Sequence, residues 1–178
     1  MDKNIICFGE VLWDVYPERK VLGGAPFNVL SRLNSFGNNA TLVSSIGNDI
    51  YGDQILNFFQ TNNFCTDFLY VNEGYKTGEV KISLNSGEPL YNIETNVAWD
   101  YIPFKEKEFK KIDFLIFGSL ASRNDTSFLT LKKLLKFSKF KILDLNLRQN
   151  YFTKKKLSVL IKSSDFLKLN LNEINELN

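Results

Sequence analysis

Short apolar runs that alternate with helix-length segments constrain the fold of this chain more than any other feature of its sequence. Residues 4–8 form a continuous run of the kind found in strands buried on both faces. Similar runs predict strands at residues 41–46, 68–71, 114–117, 141–145 and 166–169, and the segments between them predict helices at residues 25–36, 51–60, 106–111, 126–137 and 155–162. This alternation predicts an α/β fold, a doubly wound and mostly parallel sheet covered by helices on both faces.

Residues 77–96 interrupt this order with a different pattern. Val80, Ile82 and Leu84 fall on one parity, the residues between them are polar, and residues 86–89 break the run. Such partial alternation predicts an antiparallel hairpin with one apolar face and one wet face.

Composition limits the chemistry rather than the fold. The 178 residues contain no histidine, which excludes His-based general bases, Ser-His-Asp and Cys-His nucleophile systems, and imidazole metal sites. The net charge of +2 favours neither nucleic acid nor an anionic membrane as a partner. Cys7 and Cys65 lie in apolar runs and do not form a Cys-x-x-Cys motif. We therefore expect both to be small buried hydrophobic residues of a protein from a reducing compartment. With no signal-peptide core or membrane-length apolar stretch, we expect a cytoplasmic protein.

Polar residues follow the predicted strands at the sheet edge where α/β proteins bind ligands. Asp14 either accepts hydrogen bonds from vicinal hydroxyls of a sugar or caps local backbone amides. Gly23-Gly24-Ala25-Pro26 precedes a helix, so either a ligand approaches its free N–H groups or the pair makes a tight turn. Asn28 offers a donor and an acceptor one turn inside that helix. For Asp49 we favour a structural role as the N-cap of the next helix.

Two later strand ends carry further polar clusters. Asp144, Asn146 and Arg148 alternate after one strand, and Asn170-Leu171-Asn172-Glu173 follows the next and opens a helix. Amides, a carboxylate and a guanidinium suit phosphate oxygens and a hydrated Mg²⁺, while helix capping is the alternative for Asn170. The Lys154-Lys155-Lys156 run favours a solvated helix start, with phosphate contact as the minor alternative.

Taken together, five ordered motifs resemble the ribokinase-like (PfkB) sugar kinases. They are Gly9-Glu10-x-x-x-Asp14, Gly23-Gly24-Ala25-Pro26-x-Asn28, Gly47-x-Asp49-x-x-Gly52, Asp144-x-Asn146-x-Arg148 and Asn170-x-x-Glu173. Segments 9–17, 97–100 and 117–121 are similar to the bacterial fructokinase branch. The resemblance implies ATP-dependent phosphorylation of a sugar hydroxyl, with fructose as the expected sugar and Mg²⁺ as the metal. It also implies a ribokinase-like fold with a small β-sheet lid built by segments of about 11–21 and 77–96.

The same resemblance assigns roles by position. The residues that would hold the sugar are Asp14, Gly23, Gly24 and Asn28. Asn170 and Glu173 would organise ATP phosphate and Mg²⁺, Glu173 acting on the metal through water, and Arg148 would lie toward the transferred phosphate. Closure of the lid would exclude water, so that ATP is not simply hydrolysed.

One part of the family pattern is absent from residues 1–178. The family's Gly-Ala-Gly-Asp loop supplies an anion hole for the phosphate and an Asp that takes the sugar proton, and no Gly-x-Gly-Asp occurs here. We therefore expect the N-terminal part of a longer domain, with its C-terminal part missing, an open sheet edge and no sugar phosphorylation by itself. The alternative is a non-catalytic sugar-binding module. We also expect a homodimer through the lid, whose apolar face could instead cover the sugar.

Overall fold

The computed structural model describes residues 3–85, 88–105, 109 and 111–177, without the side chains of residues 84, 85 and 88–90. The strands of this part are β1 Ile5–Phe8, β2 Leu12–Val15, β3 Lys20–Gly23, β4 Ala40–Gly47, β5 Leu69–Asn72, β6 Glu79–Asn85, β7 Glu88–Ile93, β8 Ile112–Gly118, β9 Ser138–Asp144 and β10 Phe166–Lys168. The α-helices are α1 Ala25–Ser35, α2 Ile50–Thr61, α3 Asp125–Phe137, α4 Lys154–Ser163 and α5 Leu171–Leu177. Short 3₁₀ helices cover Ala98–Tyr101 and Leu120–Arg123.

Six strands form the large sheet, in the order β10-β9-β8-β1-β4-β5, and every adjacent pair is parallel. In β1, Ile6 and Phe8 pack into the core on one face, and Ile5 and Cys7 pack into the core on the other. Helices α1 and α2 cover the second core, and α3 and α4 cover the first. The predicted doubly wound parallel sheet is confirmed. Within the described residues β10 and β5 are the two edge strands of this sheet.

The start of β9 is the main departure from the predicted elements. Helix α3 ends at Phe137, and Ser138 is already extended and begins β9, three residues before the predicted start. The Ser138 hydroxyl donates to the Leu134 carbonyl at 2.8 Å and satisfies an orphan acceptor at the helix end. The main sequence signals for the end of a helix are Gly and Pro, and neither residue is present here. The helix predicted at residues 106–111 lies largely outside the described residues.

Four strands form the small sheet, in the order β3-β2-β6-β7. The β2–β3 and β6–β7 pairs are antiparallel, and the β2–β6 pair that joins them is parallel. The hairpin predicted within residues 77–96 is confirmed. Val80, Ile82 and Ile93 are buried on one face, and the side chain of Leu84 lies outside the described residues.

Asp49 joins the small sheet to α2. One carboxylate oxygen accepts hydrogen bonds from the Tyr51 and Gly52 amides at 3.0 and 2.8 Å, which confirms the predicted N-cap. The carboxylate also accepts from the Thr77 amide at 2.7 Å and the Thr77 hydroxyl at 2.8 Å. Partial burial raises the pKa of Asp49, but the bonds from Thr77, Gly52 and Tyr51 outweigh it and hold the pKa below its usual value. Asp49 therefore fixes the base of β6.

A buried ion pair fixes the base of β7. Arg123 donates to both carboxylate oxygens of Asp100, at 2.7 and 2.8 Å, and to the Glu94 carbonyl at 2.5 Å. Its guanidinium carbon lies 4.0 Å from the Trp99 ring centroid, and the two charged side chains are 8% and 2% exposed. This contact could not be predicted from the sequence, because Arg123 belongs to none of the five motifs.

The free edge of β7 is capped by the loop that follows β9. Gln149 donates to the Tyr91 carbonyl at 2.5 Å, and the Tyr151 hydroxyl donates to the Ile93 carbonyl at 2.9 Å. Unpaired carbonyls on an edge strand invite pairing with another chain, so these two bonds protect that edge.

Cys7 and Cys65 are free thiols in different environments. Burial raises the pKa of the Cys7 thiol to about 12, so it is neutral and behaves as the predicted small hydrophobe. Cys65 is only partly buried. Among the described residues, no helix has the length and apolar character needed to cross a membrane.

Candidate functional site

A cavity of about 220 Å³, the central cavity, lies between the two sheets. Its wall on the large-sheet side is polar and includes Glu10, Gly24, Asn28, Asn146 and Arg148. These residues follow β1 and β9 or open α1, so the carboxyl edge of a parallel sheet forms this wall, as predicted. The wall on the small-sheet side is mainly apolar and carries one carboxylate, Asp14.

Asp14 reaches the central cavity because Gly23 leaves room for it. The two residues lie on the paired strands β2 and β3, and a Cβ atom built on Gly23 would lie 2.1 Å from Asp14 Oδ2. Burial raises the pKa of Asp14, and the nearby charge of Arg148 partly offsets that effect. A partly exposed carboxylate in a cavity is suited to accept hydrogen bonds from hydroxyl groups.

The start of α1 presents backbone and side-chain polar groups to the same cavity. Gly24 has φ of 107°, a region that favours glycine, and a Cβ atom there would lie 2.4 Å from the Glu10 carbonyl oxygen. Gly24 supplies no side-chain cap, Pro26 has no N–H, and Asn28 is exposed on the first turn. Predicted residues Asp14, Gly24 and Asn28 therefore line one cavity, and Gly23 lies directly behind Asp14.

Arg148 is carried by a loop with two residues in left-handed conformations. Asn146 has φ of 43° and Gln149 has φ of 46°, so the chain turns sharply on both sides of Arg148. Glu10, Asp14 and Arg148 line the same cavity. Burial raises the pKa values of the two carboxyls, and the charge of Arg148 partly opposes that rise. Asp144, by contrast, pairs with Lys168 at 2.8 Å and does not line the cavity.

Asn170 and Glu173 do not line the central cavity, but they hold the same loop. The Asn170 amide donates to Glu173 Oε2 at 2.8 Å, and the Glu173 amide donates to Asn170 Oδ1 at 2.9 Å, so helix capping by Asn170 is confirmed. The Leu147 amide donates to Glu173 Oε1 at 2.8 Å. Glu173 thus fixes the loop that carries Arg148.

A second cavity, of about 390 Å³, adjoins this capping pair and shares Arg148 with the central cavity. Each Glu173 oxygen has one hydrogen bond and a remaining lone pair, so it can still bind water. Within the described part of the chain, no group of three or more acidic or cysteine side chains could hold a metal ion directly. Mg²⁺ prefers to keep several of its waters, and the remaining lone pairs of Glu173 would suit such a hydrated ion.

Glu10 is the site residue that sequence reasoning used only as part of a motif. It is 3% exposed, and its Oε1 atom accepts from the Ala25 amide at 3.3 Å. Burial raises the pKa of Glu10 to about 7, although the nearby backbone amides of Glu10 and Ala25 and the charges of Arg148 and Arg123 oppose that rise. A buried acid at a ligand cavity is a common functional feature, and its burial could not be deduced from residue type.

The lysine run opens α4 as predicted. Thr153 is the N-cap of the helix, and Lys154 and Lys155 are exposed. Lys156 differs, because it donates to the Arg123 carbonyl at 2.9 Å and pairs with Asp125 at 2.8 Å. None of the three lines the central cavity.

Comparison with known proteins gives consistent results for the fold and the family. A putative sugar kinase of Pyrococcus horikoshii is 28% identical over 143 residues, which are 77% of this chain and 46% of the relative. The crystal structure of an uncharacterised sugar kinase from the same organism matches with a TM-score of 0.86 and 24% identity, over 97% of this chain and 67% of that one. A fructokinase with bound ATP from Xylella fastidiosa matches with a TM-score of 0.88 and 22% identity, over 99% of this chain and 61% of that one.

These matches confirm the ribokinase-like α/β fold with a small mixed sheet. The chain spans about half the length of the curated relative. The family model for pfkB family carbohydrate kinases matches residues 2–178. This chain therefore belongs to the pfkB family of carbohydrate kinases.

Proposed function

We propose that this chain is the sugar-binding part of an ATP-dependent sugar kinase, and that the sugar is fructose. The observation that carries the proposal is the convergence of Asp14, Asn28 and Arg148 on one cavity between the sheets. Carboxylate and amide groups recognise vicinal hydroxyls, and a guanidinium recognises phosphate. Fructose is chosen over other sugars because of the fructokinase-like segments 9–17, 97–100 and 117–121 and the fructokinases among the similar structures.

The proposed reaction moves one phosphoryl group. A sugar hydroxyl oxygen forms a bond to the γ-phosphorus of ATP, the bond to the bridging oxygen breaks, and ADP leaves. Arg148, on the boundary of the two cavities, would meet the negative charge of the phosphate. Asn170 and Glu173 would orient the phosphate and the hydrated Mg²⁺ through water, and the metal would neutralise phosphate charge.

The chain supplies the binding half of this chemistry. Residues 1–178 contain no Gly-x-Gly-Asp, the sequence that would provide the anion hole and the proton acceptor. Asp14 is assigned to the sugar, and Asp144 pairs with Lys168. We therefore propose that the 178-residue polypeptide binds sugar without transferring phosphate. Sugar binding without phosphate transfer is also what the second candidate function, a non-catalytic sugar-binding module, predicts.

The small sheet has a defined place in the proposal. Val80 and Ile82 line the central cavity, which favours their covering the sugar over their forming a contact between subunits. Closing this apolar wall over the sugar would exclude water from the transferred phosphate. A homodimer through the lid and a cytoplasmic location remain proposals.

The test combines binding and turnover on the 178-residue protein. Calorimetry with fructose, ribose and glucose is expected to show binding of fructose, and Asp14→Ala is expected to abolish it without a change in the circular dichroism spectrum. Mixing ATP, Mg²⁺ and fructose is expected to release no ADP above the sugar-free rate. Unchanged fructose affinity in Asp14→Ala would overturn the sugar site, and fructose-dependent ADP release would show that another residue serves as the base.

A further inference from the structure

Glu10 lines the central cavity, and one of its carboxylate oxygens is buried without a hydrogen-bond partner among the described residues. Oε1 is occupied by the Ala25 amide, and Oε2 is buried without a hydrogen-bond partner among the residues that the structure describes. Leaving a buried charged acceptor unpaired is unfavourable, so such an atom calls for an explanation. Glu10 also lines the cavity in which the sugar is proposed to bind.

Helix capping explains only half of this side chain. Capping the first amide of α1 requires a single acceptor, and a glutamine would satisfy it equally well through its side-chain carbonyl. A neutral amide would avoid the cost of burying a carboxylate next to apolar residues. Helix capping therefore does not explain the second carboxylate oxygen of Glu10, Oε2.

We propose that Glu10 Oε2 accepts a hydrogen bond from a hydroxyl of the bound sugar, making Glu10 a further specificity-determining residue of the site. This inference rests on the proposed sugar-binding function and extends it to a residue outside the set Asp14, Gly23, Gly24 and Asn28. A hydroxyl donor completes the hydrogen bonding of Oε2. The site then discriminates against deoxy sugars, because they would leave that oxygen unpaired.

The charges around Glu10 set how binding depends on pH. Arg148 and Arg123 favour its ionised form, Asp14 faces the same cavity, and the first turn of α1 packed against it carries no acidic residue. Burial opposes ionisation and places the pKa of Glu10 at about 7 in the free protein. A hydroxyl that donates to the carboxylate stabilises the ionised form, so sugar binding lowers this pKa and releases protons. Affinity for fructose then rises from pH 6 to pH 8.

Glu10→Gln separates this role from helix capping. The glutamine keeps the acceptor for the Ala25 amide and replaces the acceptor Oε2 with an amide donor. A hydrogen bond to a charged group contributes about 1.5–3 kcal/mol, so the variant should bind fructose roughly 10-fold to 150-fold more weakly at pH 8. Ser44→Ala is a matched control, because Ser44 Oγ is also buried and unpartnered among the described residues but does not line the cavity.

The measurement is calorimetry of fructose binding at pH 7 in two buffers with different ionisation enthalpies. Wild type and Ser44→Ala are expected to release up to about half a proton per fructose bound, and Glu10→Gln is expected to release none. Equal affinity of wild type and Glu10→Gln would overturn the inference alone, and so would the absence of proton release from wild type, which needs no variant to fold. Failure of wild type to bind any sugar would overturn the proposed function together with this inference.

Discussion

The large and small sheets are stabilised in different ways. The large sheet buries apolar side chains on both faces, and β1 alone contributes Ile6 and Phe8 to one core and Ile5 and Cys7 to the other. The small sheet buries one face over a cavity, and its bases are fixed by polar contacts of Asp49 and Arg123. Burial of apolar area is non-directional and tolerant, whereas hydrogen-bonded joints depend on single partners. Removal of one polar side chain should therefore affect the small sheet most.

The largest expected effect comes from Arg123→Met. This change leaves Asp100 buried without its counter-charge, and breaking such a pair costs about 3–5 kcal/mol of the free energy of unfolding. Urea denaturation measures the loss. Lys168→Met, which breaks the exposed pair with Asp144, is the matched control and should cost no more than about 1 kcal/mol. Similar losses in the two variants would contradict the distinction between the sheets.

Asp49→Ala is expected to have the next largest effect. It removes an N-cap and two bonds to Thr77, for a combined loss of about 2–3 kcal/mol. Asn124→Ala removes the N-cap of α3, which has one bond to the Thr126 amide, and should cost about 1 kcal/mol. If urea denaturation gives equal losses, Asp49 acts as a cap only and does not hold β6.

The same carboxylate predicts a pH dependence of stability. Its folded pKa lies below the usual value, so its contribution is present above the unfolded pKa of about 4 and is lost as pH falls through the folded pKa. Thermal unfolding between pH 5 and pH 3 should therefore show a shallower decline in Asp49→Asn than in wild type. Parallel declines would show that Asp49 is not stabilised in its ionised form.

Gly23→Ala tests the cavity that the small sheet covers. The new Cβ would occupy the place of the Asp14 carboxylate, so fructose affinity should fall at least about ten-fold, the equivalent of one charge-assisted hydrogen bond. Gly74→Ala is the control, because the nearest atom to a Cβ there is Asn72 Oδ1 at 3.7 Å. Calorimetry that finds equal affinities would mean that the position of Asp14 is not set by Gly23.

The smallest expected effect separates two neighbouring lysines. Lys156→Met removes bonds to the Arg123 carbonyl and to Asp125 and should cost about 1 kcal/mol. Lys155→Met alters an exposed side chain and should change the free energy of unfolding by less than about 0.5 kcal/mol. Equal values from urea denaturation would show that Lys156 contributes no more than a solvated lysine.

The difference between the sheets also explains what the sequence predicts. Periodicity and apolar runs predict β1, α1 and the parallel sheet, because burial leaves its pattern in neighbouring residues. The long-range contacts of the polar joints have no such pattern. Arg123 and Asp100 are 23 positions apart, and Tyr151 lies 58 positions from the Ile93 carbonyl it caps.

The site shows the same division. Asp14, Gly24 and Asn28 were predicted because they occupy motifs whose chemistry is local to a strand end or a helix start. For Glu10 the sequence predicts only membership of a motif. Its burial and its unpartnered Oε2 atom depend on tertiary packing, which the motif does not specify. Arg148 is predicted on the phosphate side, and its position beside Asp14 at the central cavity depends on the course of a loop with left-handed residues at Asn146 and Gln149.

The most direct test of the account is amide hydrogen exchange of the 178-residue chain with and without fructose. Fructose between the sheets should slow exchange on both walls at once, at the first turn of α1 and residues 146–148 on one side and in β2 and β6 on the other. The peripheral strand β5 should be unchanged. Slower exchange on one wall only, or none on either, would contradict a sugar site formed by the two sheets together.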